Sequence, residues 1–297
     1  MRLSVLFGSF FILLIISSFL GIIVNQIQFG DARTHALCTS VIQSLLAFCV
    51  PALLVAKFSS NKYLEWLELT KAPKLKALFG VLLVYGLSMP AMEWLIQWNA
   101  GLHLPESLSG IEETLRNWED ASASATETLL EAHGFWAVTA GVLIIGVLTG
   151  FSEELFFRGG LQGIFVRTSV GRNVSVWLAA FIFSCMHFQF FGFLPRLLMG
   201  AFFGYLLIWT RCIWVPVFAH VLNNSAVVIT SALAGQPSTG LLENDNVSLY
   251  LGNSLSVAGS VTLTVLFLVF CRNYLFKNDS KLENPWLRKQ LPPVSER

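Results

Sequence analysis

The sequence predicts an all-α membrane protein, a bundle of about eight transmembrane helices with both termini in the cytoplasm. Hydrophobic residues make up 55% of the chain and charged residues 12%, whereas soluble domains carry about 25% charged residues. Apolar runs long enough to cross a hydrocarbon layer of about 30 Å recur along the whole chain. Positive charges are concentrated in alternate loops between these runs, which predicts the orientation.

The first apolar run follows Arg2 and is longer than the apolar region of a signal peptide, so we interpret it as an anchored helix. Pro51 predicts a kink in the second span, and Gly171 ends the fourth. The predicted spans cover about 4–25, 35–56, 77–98, 135–167, 173–190, 193–210, 213–233 and 249–271.

Basic residues fall in the loops that this count places on one side. Since lysine and arginine favour the cytoplasmic side, that side is predicted to hold both termini. The acidic loops 99–133 and 235–246 fall on the opposite side. The basic residues are Lys57, Lys62, Lys71, Lys74, Lys76, Arg158, Arg167, Arg172, Arg211, Arg272, Lys277 and Lys281.

One polytopic membrane domain is predicted over 1–271, with a motif-bearing core at 135–230 and a charged cytoplasmic tail at 272–297. The extracytoplasmic insertion 99–133 is acidic, and its spaced apolar residues predict one or two amphipathic helices. Ala121 to Ala125 alternates alanine and serine, which we interpret as a flexible joint. Tyr63 to Leu67 predicts a short interfacial helix.

Charge and cysteine usage exclude several classes of function. The net charge of +1 provides no basic field for nucleic acid, and the apolar composition makes the lipid bilayer a predicted partner. The cysteines are isolated, with no Cys-x-x-Cys pair, which favours neither a disulfide framework nor a zinc knuckle. They are Cys38, Cys49, Cys185, Cys212 and Cys271.

Two adjacent carboxylates and an arginine follow the apolar run that starts at Phe135: Glu153, Glu154 and Arg158. Charge inside a membrane segment is costly and indicates a functional site, although a solvated helix end is the simpler alternative. On a helix, Glu154 and Arg158 lie one turn apart and can pair. Glu153 then points about 100° away and is free for another role.

Two later spans carry further polar residues at helical spacing. Phe183 and His187 are four residues apart, and so are His220 and Asn224. Each pair has a structural interpretation, either a hydrogen-bonded core histidine or a polar contact between helices. Yet Glu153 and His187 lie about 17 residues on either side of the turn near residue 170, so both lie roughly 25 Å along antiparallel helices. Carboxylate and imidazole are therefore predicted at the same depth.

Three chemistries use such a set. Glutamate assisted by histidine can deprotonate a water that attacks a peptide carbonyl, while histidine and asparagine stabilise the oxyanion. Glutamate and histidine can also bind zinc, although no His-Glu-x-x-His signature is present. A proton-coupled transporter could use the same groups as a relay, but we find no internal repeat of the kind that transporters carry.

The ordered triple Glu153-Glu154-x-x-x-Arg158, Phe183-x-x-x-His187 and His220-x-x-x-Asn224 resembles the CAAX-protease and bacteriocin-processing family. These intramembrane endopeptidases include relatives of the Ras-converting CAAX endopeptidase and the bacterial Abi proteins, and members are often described as metalloproteases. The resemblance covers 135–230 and implies a multi-pass protein, here of a bacterial inner membrane. It also implies a peptide or membrane-associated protein as the substrate, cut near its C-terminus.

The resemblance implies Glu153 as the water-activating base with His187 beside it, and His220 and Asn224 as oxyanion stabilisers. It implies a supporting role for Glu154, Arg158 and Phe183. No cofactor follows from it, and zinc held by Glu153, His187 and His220 stays open. A non-catalytic scaffold or immunity protein of the same fold is the main alternative, and a transporter comes third.

Overall fold

The computed structural model describes residues 1–27, 30–234 and 254–275, and every regular element in these ranges is helical. Seven of these helices are long and apolar enough to cross a membrane. The predicted fold class, an all-α multi-pass membrane protein, is confirmed. The seven are α1 (Arg2–Gln26), α2 (Ala32–Ser59), α4 (Leu75–Ala100), α6 (Phe135–Val166), α8 (Phe193–Thr210), α9 (Trp214–Ala234) and α10 (Ser254–Phe270, continued by a π-helical turn at Cys271–Leu275).

Three further α-helices lie between these: α3 (Tyr63–Trp66), α5 (Ser109–Leu130) and α7 (Arg172–Cys185). The predicted interfacial helix corresponds to α3. The orientation of the bundle stays a prediction. The polar loop 235–246, the start of the eighth predicted span and the tail beyond residue 275 lie outside the described residues.

The fifth predicted span is shorter than expected. It ends at Cys185 instead of reaching residue 190, because the backbone turns at Met186–Phe188 and Phe188 adopts a left-handed conformation with φ of 54°. A short 3₁₀ turn at Phe190–Gly192 leads into α8. At 1.5 Å per residue, α7 is about 21 Å long, less than a hydrocarbon layer of about 30 Å. The tip of the α7–α8 hairpin, residues 186–192, contains His187 and follows directly after this short helix.

Two membrane helices contain wide π-helical turns. In α2 such a stretch, Ser44–Cys49, directly precedes the Val50–Pro51 step, where the kink was predicted. Proline donates no hydrogen bond and crowds the preceding turn, which accounts for the widening. In α6, the stretches Val142–Thr149 and Leu155–Gln162 flank the segment that holds Glu153 and Glu154. Such turns occur often at functional sites.

The acidic insertion forms one continuous amphipathic helix, α5, so the flexible joint predicted at Ala121–Ala125 is wrong. Alanine is the strongest helix former and serine is tolerated, so this stretch does not interrupt a helix that is held at both ends. Near its start, Glu112 accepts hydrogen bonds from the Leu104 amide at 2.7 Å and from Arg116 at 2.9 Å. These bonds lower the pKa of Glu112 to about 2. At its end, Arg33 donates to the carbonyl of Leu129 at 3.0 Å.

The loop after α2 packs against the loop between α8 and α9. Glu68 and Arg211 form an ion pair with atoms 2.5 Å apart, and both have left-handed backbones with φ of 57° and 55°. The amide of Ile213 donates to the Glu68 carbonyl at 3.3 Å. Arg167, just after α6, donates to the Trp66 carbonyl at 2.8 Å. Three loops predicted to be cytoplasmic are thereby joined.

Two adjacent phenylalanines fix α6 between its neighbours. Phe156 packs against Phe10 of α1 and Phe48 of α2, with ring centroids 5.1 and 5.6 Å apart. Phe157 packs edge-on against Phe183 of α7 at 5.0 Å. Both phenylalanines are fully buried. Because these side chains leave the helix about 100° apart, they set the rotation of the helix that carries the two glutamates.

Candidate active site

Small residues bring α6 into close contact with α9. A Cβ on Gly150 would lie 3.3 Å from the backbone nitrogen of Val221, and one on Gly146 would meet the Ser225 hydroxyl. Glycine at such positions lets membrane helices approach closely. This approach places Glu153 and Glu154, the next residues along α6, beside His220 of α9.

Glu154 is wholly buried and holds two partners. Its Oε1 accepts a hydrogen bond from Arg158 Nη1 at 2.7 Å and lies 2.8 Å from His220 Nδ1. The pairing of Glu154 with Arg158, predicted from helical spacing, is present in the structure, and the Arg158 side chain is only 1% exposed. Because the carboxylate is an acceptor, the bond fixes the imidazole with its Nδ1 proton directed at Glu154.

Glu153 lies on the other side of the same imidazole. Its Oε2 is 3.7 Å from His220 Nε2, and its side chain is 14% exposed whereas that of Glu154 is not exposed at all. His220 is therefore placed between two carboxylates, and of the two only Glu153 has accessible surface. The sequence predicted His187 beside Glu153. The structure shows that the Glu153 carboxylate lies next to the His220 ring.

His187 follows the end of α7. Its Nδ1 lies 2.8 Å from the Phe183 carbonyl, so Nδ1 donates and Nε2 is left as an acceptor. The Phe183 ring contacts both histidines, with its centroid 4.9 Å from that of His187 and 6.0 Å from that of His220. Glu153 and His220 both lie within electrostatic reach of His187. The three polar sets thus meet around Phe183.

Asn224 is held at both ends of its amide. Its Nδ2 donates to the Ile145 carbonyl at 3.2 Å, and its Oδ1 accepts from Asn223 at 3.2 Å. Ile145 belongs to the first wide turn of α6. One Nδ2 proton is used in this contact, which fixes the direction of the second.

Sequence reasoning missed Gln162, Gly200 and Gly204. Arg158 donates to the Gly200 carbonyl at 2.9 Å, and Gln162 donates to the Gly204 carbonyl at 3.0 Å. The two donors and the two acceptors are each four residues apart, so α6 and α8 are joined by a ladder at one-turn spacing. The signal was present as Gly200-x-x-x-Gly204 and as the polar series Glu154, Arg158, Gln162.

Aromatic rings surround the guanidinium of Arg158. Its Cζ lies 4.8 Å from the centroid of Phe183 and 5.3 Å from that of Phe203. Phe203 also stacks on His220 at 5.1 Å. Such contacts stabilise a desolvated cation and exclude water from one side of the site.

The donors do not form a three-ligand metal site. A catalytic zinc site typically uses three protein ligands at about 2 Å. Among the described residues, no group of three or more His, Cys, Asp and Glu side chains is placed to hold a metal ion. Glu153 Oε2 and His220 Nε2 lie 3.7 Å apart, and the bond between His220 Nδ1 and Glu154 leaves Nε2 free, as in histidines that bind a metal. His187 is not grouped with them as a third ligand in this arrangement.

A groove of about 590 Å³ lies on another face of α9. None of the motif residues is among its lining side chains. Trp214 lines it and stacks on Phe151 of α6 with centroids 5.6 Å apart, one turn before Glu154. The groove is mainly apolar and is lined by Leu69, Thr70, Lys71, Ala72, Pro73, Leu78, Trp214, Val217, Phe218 and Val221.

Comparison with known proteins agrees with the motifs. Residues 135–226 match the family model described as "Type II CAAX prenyl endopeptidase Rce1-like". An uncharacterised protein of Bacillus subtilis (strain 168), YpbD, is 27% identical over 85 residues, which are 27% of this chain and 40% of that relative. No solved structure matches. The matched segment is about a third of the chain and contains all the motif residues, so the core at 135–226 is similar to the Rce1-like CAAX protease family.

Proposed function

We propose that this protein is an intramembrane endopeptidase that hydrolyses a peptide bond with water activated by Glu153. The observation that carries the proposal is the placement of His220 between two carboxylates, one buried and paired with Arg158 and the other accessible. A protease family model over the same residues supports it.

In the proposed reaction, Glu153 takes a proton from water, and the water oxygen attacks the carbonyl carbon of the scissile bond. The acceptor Nε2 of His187 helps to hold that water. The second Nδ2 proton of Asn224 stabilises the oxyanion, and His220 joins it in the form that carries a proton on Nε2 as well as on Nδ1. Glu153 then passes its proton to the leaving nitrogen, the carbon–nitrogen bond breaks, and a carboxyl and an amine are released.

Glu154 and Arg158 position the reacting groups and do not touch the substrate. Arg158 neutralises Glu154, and Glu154 holds His220 by its Nδ1 proton. Carboxylates that orient a histidine in this way fix its tautomer and its ring direction. Phe183 packs edge-on against both histidines and forms part of the wall of the site.

The proposed substrate is a peptide or a membrane-associated protein, cut near its C-terminus. The groove beside α9 is apolar and adjoins the helix that carries His220, so we assign it to apolar side chains next to the scissile bond. A bacterial plasma membrane is the proposed location, in agreement with the bacterial source of the relative.

The test uses purified full-length protein in detergent with internally quenched peptides, one ending in a farnesylated cysteine segment and one without the lipid. We expect cleavage of at least one peptide, and we expect Glu153→Gln to lose about 10²- to 10⁴-fold in rate, since that is the usual contribution of a general base. Glu113→Gln, a change at an exposed carboxylate of α5, serves as the matched control.

Equal rates for the wild type and Glu153→Gln would overturn the mechanism. Failure of the wild type to cleave either peptide is the outcome expected of a non-catalytic scaffold. The cleavage assay is repeated with a chelator to test whether the reaction needs a metal ion. We expect unchanged rates, and inhibition that zinc reverses would contradict the metal-free route.

A further inference from the structure

The tip of the α7–α8 hairpin, residues 186–192, carries His187 on irregular backbone. Phe188 within it has a left-handed backbone and a side chain that is 67% exposed. Because α7 is only about 21 Å long, the tip lies below the level that a full span would reach. Non-helical backbone at such depth is tolerated only where protein or a water-filled cavity supplies its hydrogen-bond partners.

The extramembrane helix α5 supplies one of those partners. Glu119 Oε2 accepts a hydrogen bond from the Phe191 amide at 3.0 Å. On the same helix, the Arg116 guanidinium lies 4.0 Å from the centroid of the Phe191 ring, and Trp118 packs edge-on against Phe188 at 6.2 Å. Consecutive turns of α5 therefore contact Phe188 and Phe191, two of the three aromatic residues that follow His187 in the tip.

Asn99, near the end of α4, supplies one more partner to the tip and one to the first turn of α8. Its Oδ1 accepts from the Leu194 amide at 2.8 Å, and its Nδ2 donates to the Phe190 carbonyl at 3.4 Å. Asn99 is 1% exposed. Two residues of the segment 99–130, Asn99 and Glu119, thus form hydrogen bonds with the backbone of the tip.

Electrostatics also connect Glu119 with the tip. Arg196, in the first turn of α8, donates to the Gln189 side chain and carbonyl, and it lies within electrostatic reach of both Glu119 and His187. Burial raises the pKa of Glu119, and the Phe191 amide and Arg196 oppose that rise. The carboxylate is therefore half-desolvated and directed at the tip.

The position of α5 is itself fixed. Arg33 donates to the Leu129 carbonyl at its end and to the Ala137 carbonyl of α6, both at 3.0 Å. Glu112 and Arg116 hold its start against residues 102–104. Because α5 is anchored at both ends, Glu119 in its middle is held in a fixed position beside the hairpin tip.

We propose that Glu119 is a positioning residue for His187: by holding the Phe191 amide, it fixes the hairpin tip so that the His187 imidazole faces Glu153. This inference rests on the proposed function, and it gives the insertion 99–133 a role outside the matched segment 135–226. Glu119 acts through the tip and does not touch the substrate.

The test compares Glu119→Ala, Glu119→Gln and the control Glu113→Ala in full-length protein by hydrogen–deuterium exchange and by peptide cleavage. We expect Glu119→Ala to exchange faster at residues 186–192 only and to lose about tenfold in kcat with KM unchanged, since a misplaced group slows the chemical step more than binding. Glu119→Gln retains an acceptor oxygen and should restore both properties. Glu113→Ala should match the wild type.

Unchanged exchange at 186–192 in Glu119→Ala would overturn the positioning role, whatever its activity. Faster exchange across all helices would show a general loss of folding and would also count against it, as would failure of Glu119→Gln to rescue kcat. If the wild type cleaves neither peptide, the proposed function fails and the catalytic part of this inference fails with it. The separate exchange measurement distinguishes the two failures.

Discussion

At the scale of single residues, the site depends on a difference between two neighbours of the same chemistry. Glu153 and Glu154 are adjacent, yet the Glu154 side chain has no exposed surface and that of Glu153 is 14% exposed. Helical geometry turns successive side chains about 100° apart. One glutamate therefore meets Arg158 and the other faces the accessible side of His220.

Removal of Arg158 should destabilise the fold. In Arg158→Ala, the wholly buried Glu154 carboxylate loses its cationic partner, and an uncompensated buried charge costs about 3–5 kcal/mol. We expect a clearly lower thermal midpoint in detergent. Arg272→Ala, a change at an exposed arginine, is the control. Equal midpoints for the two variants would rule out a stabilising role for the pair.

At the scale of elements, the contact between α7 and α8 depends on the absence of a side chain at Gly204. A Cβ there would lie 2.7 Å from Gln162 Oε1 and 2.9 Å from Val176 Cγ1. Gly204→Ala should therefore lower the free energy of unfolding, although alanine favours a helix by about 1 kcal/mol over glycine.

Gly86 in α4 provides the matched comparison. A Cβ at Gly86 meets no atom within 4 Å. Gly86→Ala should raise the thermal midpoint through helix propensity alone, so the two substitutions are expected to shift the midpoint in opposite directions. Shifts of the same sign would contradict close packing at Gly204.

The sequence predicted elements well where a single physical rule decided their limits. Span six was expected at 193–210, which are the bounds of α8. The end of α7 was missed because hydropathy continues through Met186 and Phe188, whereas the break depends on a left-handed residue that composition does not reveal. The continuity of α5 was missed because the small residues Ala121–Ala125 indicated a flexible joint. The sequence does not show that Arg33 and Glu112 hold the two ends of this helix.

For the candidate site, the sequence predicted contacts within one helix and missed a contact between helices. Helical spacing identified the Glu154–Arg158 pair, and matched depth brought Glu153 and His187 into one region. The bond between Glu154 and His220 could not be derived, because it depends on the rotation of α9 against α6, which Gly146 and Gly150 set through close approach. The assignment of catalytic roles remains a proposal.

At the scale of the whole molecule, the orientation in the membrane stays a prediction. With the positive-inside rule, Lys62 is cytoplasmic and Glu113 lies on the opposite face. A membrane-impermeant maleimide added to intact cells should label Glu113→Cys, and it should label Lys62→Cys only after permeabilisation. Each signal is compared with that of the parent protein, which has native cysteines. The reverse pattern would invert the proposed topology.

The short helix α7 has a consequence for the lipids around the protein. A helix of about 21 Å beside a hydrocarbon layer of about 30 Å creates a hydrophobic mismatch of roughly 9 Å. Lipids adapt to a short span by compressing, which thins the bilayer locally. The thinnest part of the membrane would then lie next to His187. A peptide bond would have the shortest distance to travel there between the aqueous phase and Glu153.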